Sequence, residues 1–204
     1  MTRSPADPLD PRAAWHPASR PGRERPSPIA FLIGPSGAGK STLAAWVAED
    51  LGLLHLEIDR FPHGDGIDLE GLRPAWDAFW LDSNAQALAA AVRVRAADAH
   101  AVGAIVSFPS GVVPGNDQIA ALAREDITLV VLYGSGAECL DAFLRREQAK
   151  STRLDATHWI RHNAGPYASL STPRFAPYRL LAFDEGGYRS RVTLVNAIAR
   201  RLQR

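Results

Sequence analysis

"IAFLIGPSGAGKSTLAAWVAEDLG", residues 29–52, joins an apolar run to a helix-forming stretch through a glycine-rich turn. Ile29–Ile33 reads as a buried strand. The helix should open inside "GKSTLAAWVAEDLG" and close near Gly52, a residue suited to the position just past a helix end. Between them, Gly34, Pro35, Ser36, Gly37, Ala38, Gly39, Lys40, Ser41 and Thr42 fit and extend the pattern G-x-x-x-x-G-K-[ST]. A preceding strand and a following helix are the context that pattern requires. Its glycines let successive backbone N–H groups turn inward around phosphate oxygens, and the helix N-terminus adds its positive end. Lys40 is expected to reach the β- and γ-phosphates, and Ser41 to ligate Mg²⁺. The expected cofactors are therefore ATP and Mg²⁺, although no readable motif separates ATP from GTP.

Outward from this stretch, four further apolar runs recur: 53–58, 102–108, 127–133 and 178–183. Helical stretches alternate with them: "AQALAAAVRVRAADAH" before the third run, "GAECLDAFLRREQAK" after the fourth and "SRVTLVNAIARRLQ" after the fifth. That alternation predicts an α/β fold with a parallel sheet covered by helices on both faces. The length of 204 residues accommodates one such domain. Nearly half of the 15 prolines fall in residues 1–28, which read as a disordered leader before a domain over 29–204.

Composition narrows the function classes. A net charge of +1 supplies no global field for nucleic acid or membrane, and no basic stripe with interleaved aromatics occurs. No apolar run approaches the ~20 residues of a membrane span. The single cysteine, Cys139, excludes an internal disulfide and fits a cytoplasmic location. His63, His158 and His162 make no zinc set in the sequence. Asp65, Asp68 and Glu70 miss the spacing of a calcium loop. Oligomeric state is not legible.

The phosphate loop alone does not settle the chemistry. No N/T-K-x-D run is present to read guanine, and the third strand ends in "AIVSFPSGV" without a carboxylate. Both absences point away from switch GTPases and motor ATPases, towards a kinase whose carboxylate comes from another strand. On these residues the chain resembles the shikimate kinase-like branch of the P-loop small-molecule kinases, within the wider nucleoside-monophosphate-kinase-like fold group. The resemblance implies a P-loop NTPase three-layer sandwich with a five-stranded parallel sheet in order 2-3-1-4-5 and a lid. It places the acceptor-binding segment at about 60–92 and the lid at about 145–165. The family's D-x-D at the end of the second strand corresponds to Glu57 and Asp59 in "LEID". Glu57 would then help Ser41 hold the metal, and Asp59 would face the acceptor hydroxyl as the catalytic carboxylate.

Similarly, "SFPSGVV" matches the family's turn beside the acceptor and brings Ser107, Ser110 and Gly111 to the substrate. "FLRREQAKSTRLD" matches the lid helix, with Arg153 as the catalytic lid arginine and Arg145 or Arg146 stacking on adenine. Their charges equally suit a solvated helix end. Departures bear on the acceptor: Phe108, Pro109 and Ser110 replace a glycine triplet, and Asn163 stands where the family has a carboxylate-clamping arginine. Shikimate is therefore not the expected acceptor. Trp76, Phe79 and Trp80 share one helical face, serving either core packing or an aromatic wall for a ring-bearing acceptor. Arg73 lies just upstream as a further substrate candidate.

The expectation is an ATP- and Mg²⁺-dependent phosphotransferase acting on a hydroxyl of a sugar, cyclitol or nucleoside. A nucleoside monophosphate kinase, an antibiotic phosphotransferase, and a regulatory nucleotide-binding protein with little or no kinase activity remain alternatives.

Overall fold

The computed structural model describes residues 26–58, 71–149, 155–185 and 187–203. Five strands form one parallel sheet in the order β2-β3-β1-β4-β5. They are β1 (Ile29–Ile33), β2 (Leu54–Glu57), β3 (Ala104–Ser107), β4 (Ile127–Tyr133) and β5 (Arg179–Leu181). This is the order the family resemblance implied. Leu32 lies level with Ser107, and Ser107 with Glu57. The three strands thus end together at the carboxyl edge, where open sheets of this kind receive ligands.

Alternation along the strands divides the buried residues into two layers. Ile29, Phe31, Ile33, Val106 and Phe108 face one side. There they meet α2 (Arg73–Asp82), α3 (Ala85–Asp98) and α4 (Asn116–Arg124). Ala30, Leu32, Ile105, Val130 and Leu132 face the other. That layer holds α1 (Lys40–Leu51), α5 (Gly136–Ala149) and α7 (Arg191–Leu202), with Trp159 from α6 (Ala156–Leu170). β1 is buried along its whole length, which explains its unbroken apolar run.

Local signals fix the helix ends. Gly52 closes α1 at φ 68°, its N–H donating to the Ala48 carbonyl. Asn84, Asp155 and Ser190 cap α3, α6 and α7 by accepting the N–H groups of Ala87, His158 and Thr193. Arg191, opening α7, pairs with Asp50 and Glu49 of α1 at 2.7 Å each and holds the last helix against the first.

Two details differ from the sequence reading. The run 178–183 divides: β5 ends at Leu181, and the Ala182 N–H donates to the Tyr133 carbonyl. The chain then forms a short antiparallel hairpin of β6 (Phe183–Asp184) and β7 (Gly187–Tyr188). Helices α4 and α6 carry no expectation from periodicity. In α6 the pair Gly165–Pro166 interrupts the apolar pattern, since proline removes one ladder donor, yet the helix continues to Leu170. Among the described residues no helix is long and apolar enough to cross a membrane.

Candidate active site

The loop between β1 and α1 is built on backbone that side chains reject. Gly37 and Gly39 sit at φ 87° and 86°. A Cβ on Gly37 would lie 1.9 Å from the carbonyl oxygen of Cys139, and one on Gly39 would lie 2.3 Å from the Tyr188 hydroxyl. The N–H of Ala38 closes a tight turn onto the Pro35 carbonyl at 3.3 Å. Lys40 is only 7% exposed and curls back over the loop, its Nζ donating to the carbonyls of Gly34 at 2.9 Å and Pro35 at 3.2 Å. The Ser41 hydroxyl donates to the carboxylate of Glu57, at the end of β2. A buried ammonium, positive-φ glycines and a hydroxyl–carboxylate pair form a donor set that fits Mg²⁺ and a nucleoside triphosphate.

Around the loop, three side chains from two further elements converge on Ser36. The Ser36 hydroxyl meets that of Ser110, in the turn after β3, at 2.7 Å. The Ser36 N–H donates to Asn163 Oδ1 at 2.9 Å, and the Ser36 carbonyl accepts from the Trp159 indole at 3.0 Å. Asn163 in turn donates to the Trp159 carbonyl at 3.1 Å. Both residues come from α6 and are buried. One turn further, Tyr167 stacks on Tyr133 of β4 with ring centroids 5.5 Å apart, and both hydroxyls are hydrogen-bonded. Beside Ser110, Ser107 is buried and its hydroxyl pairs with His55 at 2.9 Å.

The structure therefore gathers Gly34–Thr42, Glu57, Ser107 and Ser110 at one edge. Asp59 and Arg153 lie outside the described residues, as do residues 60–70 and 150–152. Gly111 is exposed with open space around it. Arg73 is exposed and pairs with Asp77 at 3.1 Å. Arg145 pairs with Asp141 on the exposed side of α5. Arg146 pairs with the buried carboxylate of Glu147 at 2.7 Å and lies over the Phe143 ring. His158 and His162, one turn apart on α6, bring their rings to 4.4 Å. Among the described residues no three His, Cys, Asp or Glu side chains cluster as a metal site.

Of the two roles open to it, Trp76 shows core packing. It is half-buried against the core and stacks on Phe108, with centroids 5.2 Å apart and planes at 22°. Phe108, 1% exposed, also packs on Phe31 at 4.9 Å. The bulk that replaces glycine after β3 thus supports the fold. Phe108→Ala should cost about 3–5 kcal/mol of stability through lost contacts and a cavity, measured by urea unfolding at constant slope.

Sequence reasoning missed Trp159, Asn163, Tyr167 and Tyr188 as loop and site neighbours. The bonds of Trp159 and Asn163 to Ser36 span 123 and 127 residues, a separation that leaves no local pattern. Asn163, read as a lost clamp, is a hydrogen-bonded support of the loop.

Burial pushes the Cys139 thiol from 9.0 up to about 12, with the neighbouring Glu138 charge adding to it. Burial likewise raises the Tyr188 hydroxyl to about 12. Both groups prefer the neutral form in the folded chain. Their contribution is complete below the ordinary pKa values and is lost as pH rises through about 12. The unfolding midpoint should accordingly fall between pH 9 and 12, and Cys139 should resist a thiol reagent at pH 8 until the chain unfolds. Circular dichroism across that range and thiol titration with and without urea check both.

No protein-family model matches the chain, and no curated protein matches it. Solved structures do. A sugar kinase from Janibacter sp., solved without ligand, superposes with a TM-score of 0.52 at 20% identity, over 87% of this chain and 95% of its own. A gluconokinase from Sinorhizobium meliloti 1021 follows with 0.49 at 18% identity, over 88% and 95%. Shikimate kinase from Acinetobacter baumannii, in complex with shikimate, gives 0.48 at 18%, over 85% and 91%. At such identities a likeness concerns the fold. Strand order, phosphate loop and the first of these superpositions agree: the chain has the fold of the P-loop small-molecule kinases, the shikimate kinase-like and nucleoside-monophosphate-kinase-like group.

Proposed function

We propose that the chain is a cytoplasmic phosphotransferase that uses ATP and Mg²⁺ to phosphorylate a hydroxyl of a small metabolite of the sugar, cyclitol or nucleoside type. The observation that carries this reading is the arrangement of Lys40, Ser41 and Glu57 around a loop of positive-φ glycines. Bound there, the nucleotide would supply the phosphoryl group and the metal would neutralise its charge. The residues have separable tasks. The loop amides and Lys40 hold the phosphates, and Ser41 with Glu57 holds the metal. Asp59, next in the chain after the buried Ile58, orients the acceptor hydroxyl, and Arg153 stabilises charge on the transferring group. Ser107, Ser110, Gly111, Trp76 and Arg73 flank the acceptor. The partner is a small molecule, neither nucleic acid nor membrane.

One observation favours a second reading. Phe108 and Trp76 stack in the space beside the turn after β3, where flexible glycines would leave room for an acceptor. A nucleotide-binding protein with little transfer activity would tolerate that filling. The experiment is ADP release from ATP and Mg²⁺ against pooled polyols, sugars, cyclitols, nucleosides, nucleoside monophosphates and aminoglycosides. Stimulation by one pool, abolished in Lys40→Ala, supports the kinase and identifies its acceptor class. Nucleotide binding without stimulation by any pool supports the second reading.

A further inference from the structure

Ser36 is held on all three of its polar groups by elements distant in the chain: Asn163 on its N–H, Trp159 on its carbonyl, Ser110 on its hydroxyl. The first two contacts fix the peptide planes on either side of the residue. All peptide bonds of the described chain are trans. In a trans peptide the carbonyl of one residue and the N–H of the next point in opposite directions. Because the Ser36 carbonyl is turned towards the Trp159 indole, the Gly37 N–H is turned away from α6. Gly37 has no freedom to readjust on its other side, where its Cα packs against the Cys139 carbonyl at the start of α5.

We infer that Trp159 and Asn163 are positioning residues for the phosphate loop: through Ser36 they aim the Gly37 amide into the concave side that receives the nucleotide phosphates. This rests on the nucleotide-binding reading above and adds α6 to the binding machinery without any contact of its own with the ligand. Ser110 brings the turn after β3 to the same junction, so the acceptor side and the phosphate side share one anchor. Neither Trp159 nor Asn163 carries a charge that could bind phosphate directly. Their effect must pass through backbone orientation, which gives it a distinct signature.

The test uses the full chain, Mg·ADP as probe, and two variants. Trp159→Phe removes the indole donor while keeping an aromatic ring, and Asn163→Leu removes the acceptor at similar volume. Calorimetric titration should show ADP affinity falling about 5- to 10-fold in each, the worth of one net hydrogen bond. In ¹H–¹⁵N spectra at saturating Mg·ADP, the ADP-induced shift of the Gly37 amide should shrink, while those of Lys40 and Ser41 persist. Unchanged affinity in both variants overturns the inference. So does a loss of affinity with the Gly37 shift intact, because the two residues would then only hold the fold. If one variant fails to fold, the other reads the same junction from the opposite peptide plane. A wild-type chain that binds no ADP overturns the nucleotide reading itself, and with it the role assigned to α6.

Discussion

Gly37→Ala should abolish measurable nucleotide binding and lower the unfolding midpoint by roughly 6–12 °C, from about 3 kcal/mol of lost stability. Two independent penalties add. The native φ of 87° is left-handed, a region where a Cβ is strained. The new atom would also lie 1.9 Å from the Cys139 carbonyl oxygen and 2.8 Å from its carbon. Both are backbone atoms at the start of α5, so relief requires moving the helix or the loop. Either movement displaces the loop amides proposed to hold the phosphates. Thermal unfolding and ADP titration measure the two effects separately. A variant that keeps both stability and affinity would show that the loop adapts, and that its geometry is not what selects glycine.

Lys40→Ala should lower phosphoryl transfer by about 10²–10³-fold, the usual scale for removing one preorganised charge-stabilising donor. The side chain is 7% exposed and donates to the Gly34 and Pro35 carbonyls. Its removal therefore takes away both the positive charge and a brace across the loop. Lys40→Arg should not rescue transfer, because a planar fork cannot replace a compact ammonium held by two converging carbonyls. Initial rates of ADP release at saturating ATP, beside ADP affinities, separate lost chemistry from lost binding. Retained turnover in Lys40→Ala would remove Lys40 from the proposed mechanism.

These two predictions differ in what makes them possible. Lys40 is named by a nine-residue pattern, and its role follows from the chemistry that the pattern serves. The Gly37 prediction needs the structure, because only the packed chain brings Cys139 within reach of the loop. The same division runs through the rest of the molecule. β1 and β4 are legible as unbroken apolar runs because strands of a parallel sheet are buried on both faces. α1 is legible because it begins at the loop and ends on Gly52. α6 was not, since Gly165–Pro166 disrupts its periodicity and its inward residues, Trp159 and Asn163, look unrelated in the chain.

The sequence by itself determined the phosphate loop, the alternation of strands and helices, and a parallel sheet covered on both faces. All of these are local: each depends on residues a few positions apart, where backbone preference and side-chain periodicity act directly. The tertiary structure alone decided what surrounds the loop. It set Trp159, Asn163 and Ser110 on Ser36, Tyr188 on Gly39, and Trp76 on Phe108. Those contacts join residues 32 to 149 positions apart. Their partners are chosen by the packing of whole helices on the sheet, and a hydrogen bond or ring stack of that range leaves no spacing in the chain to read.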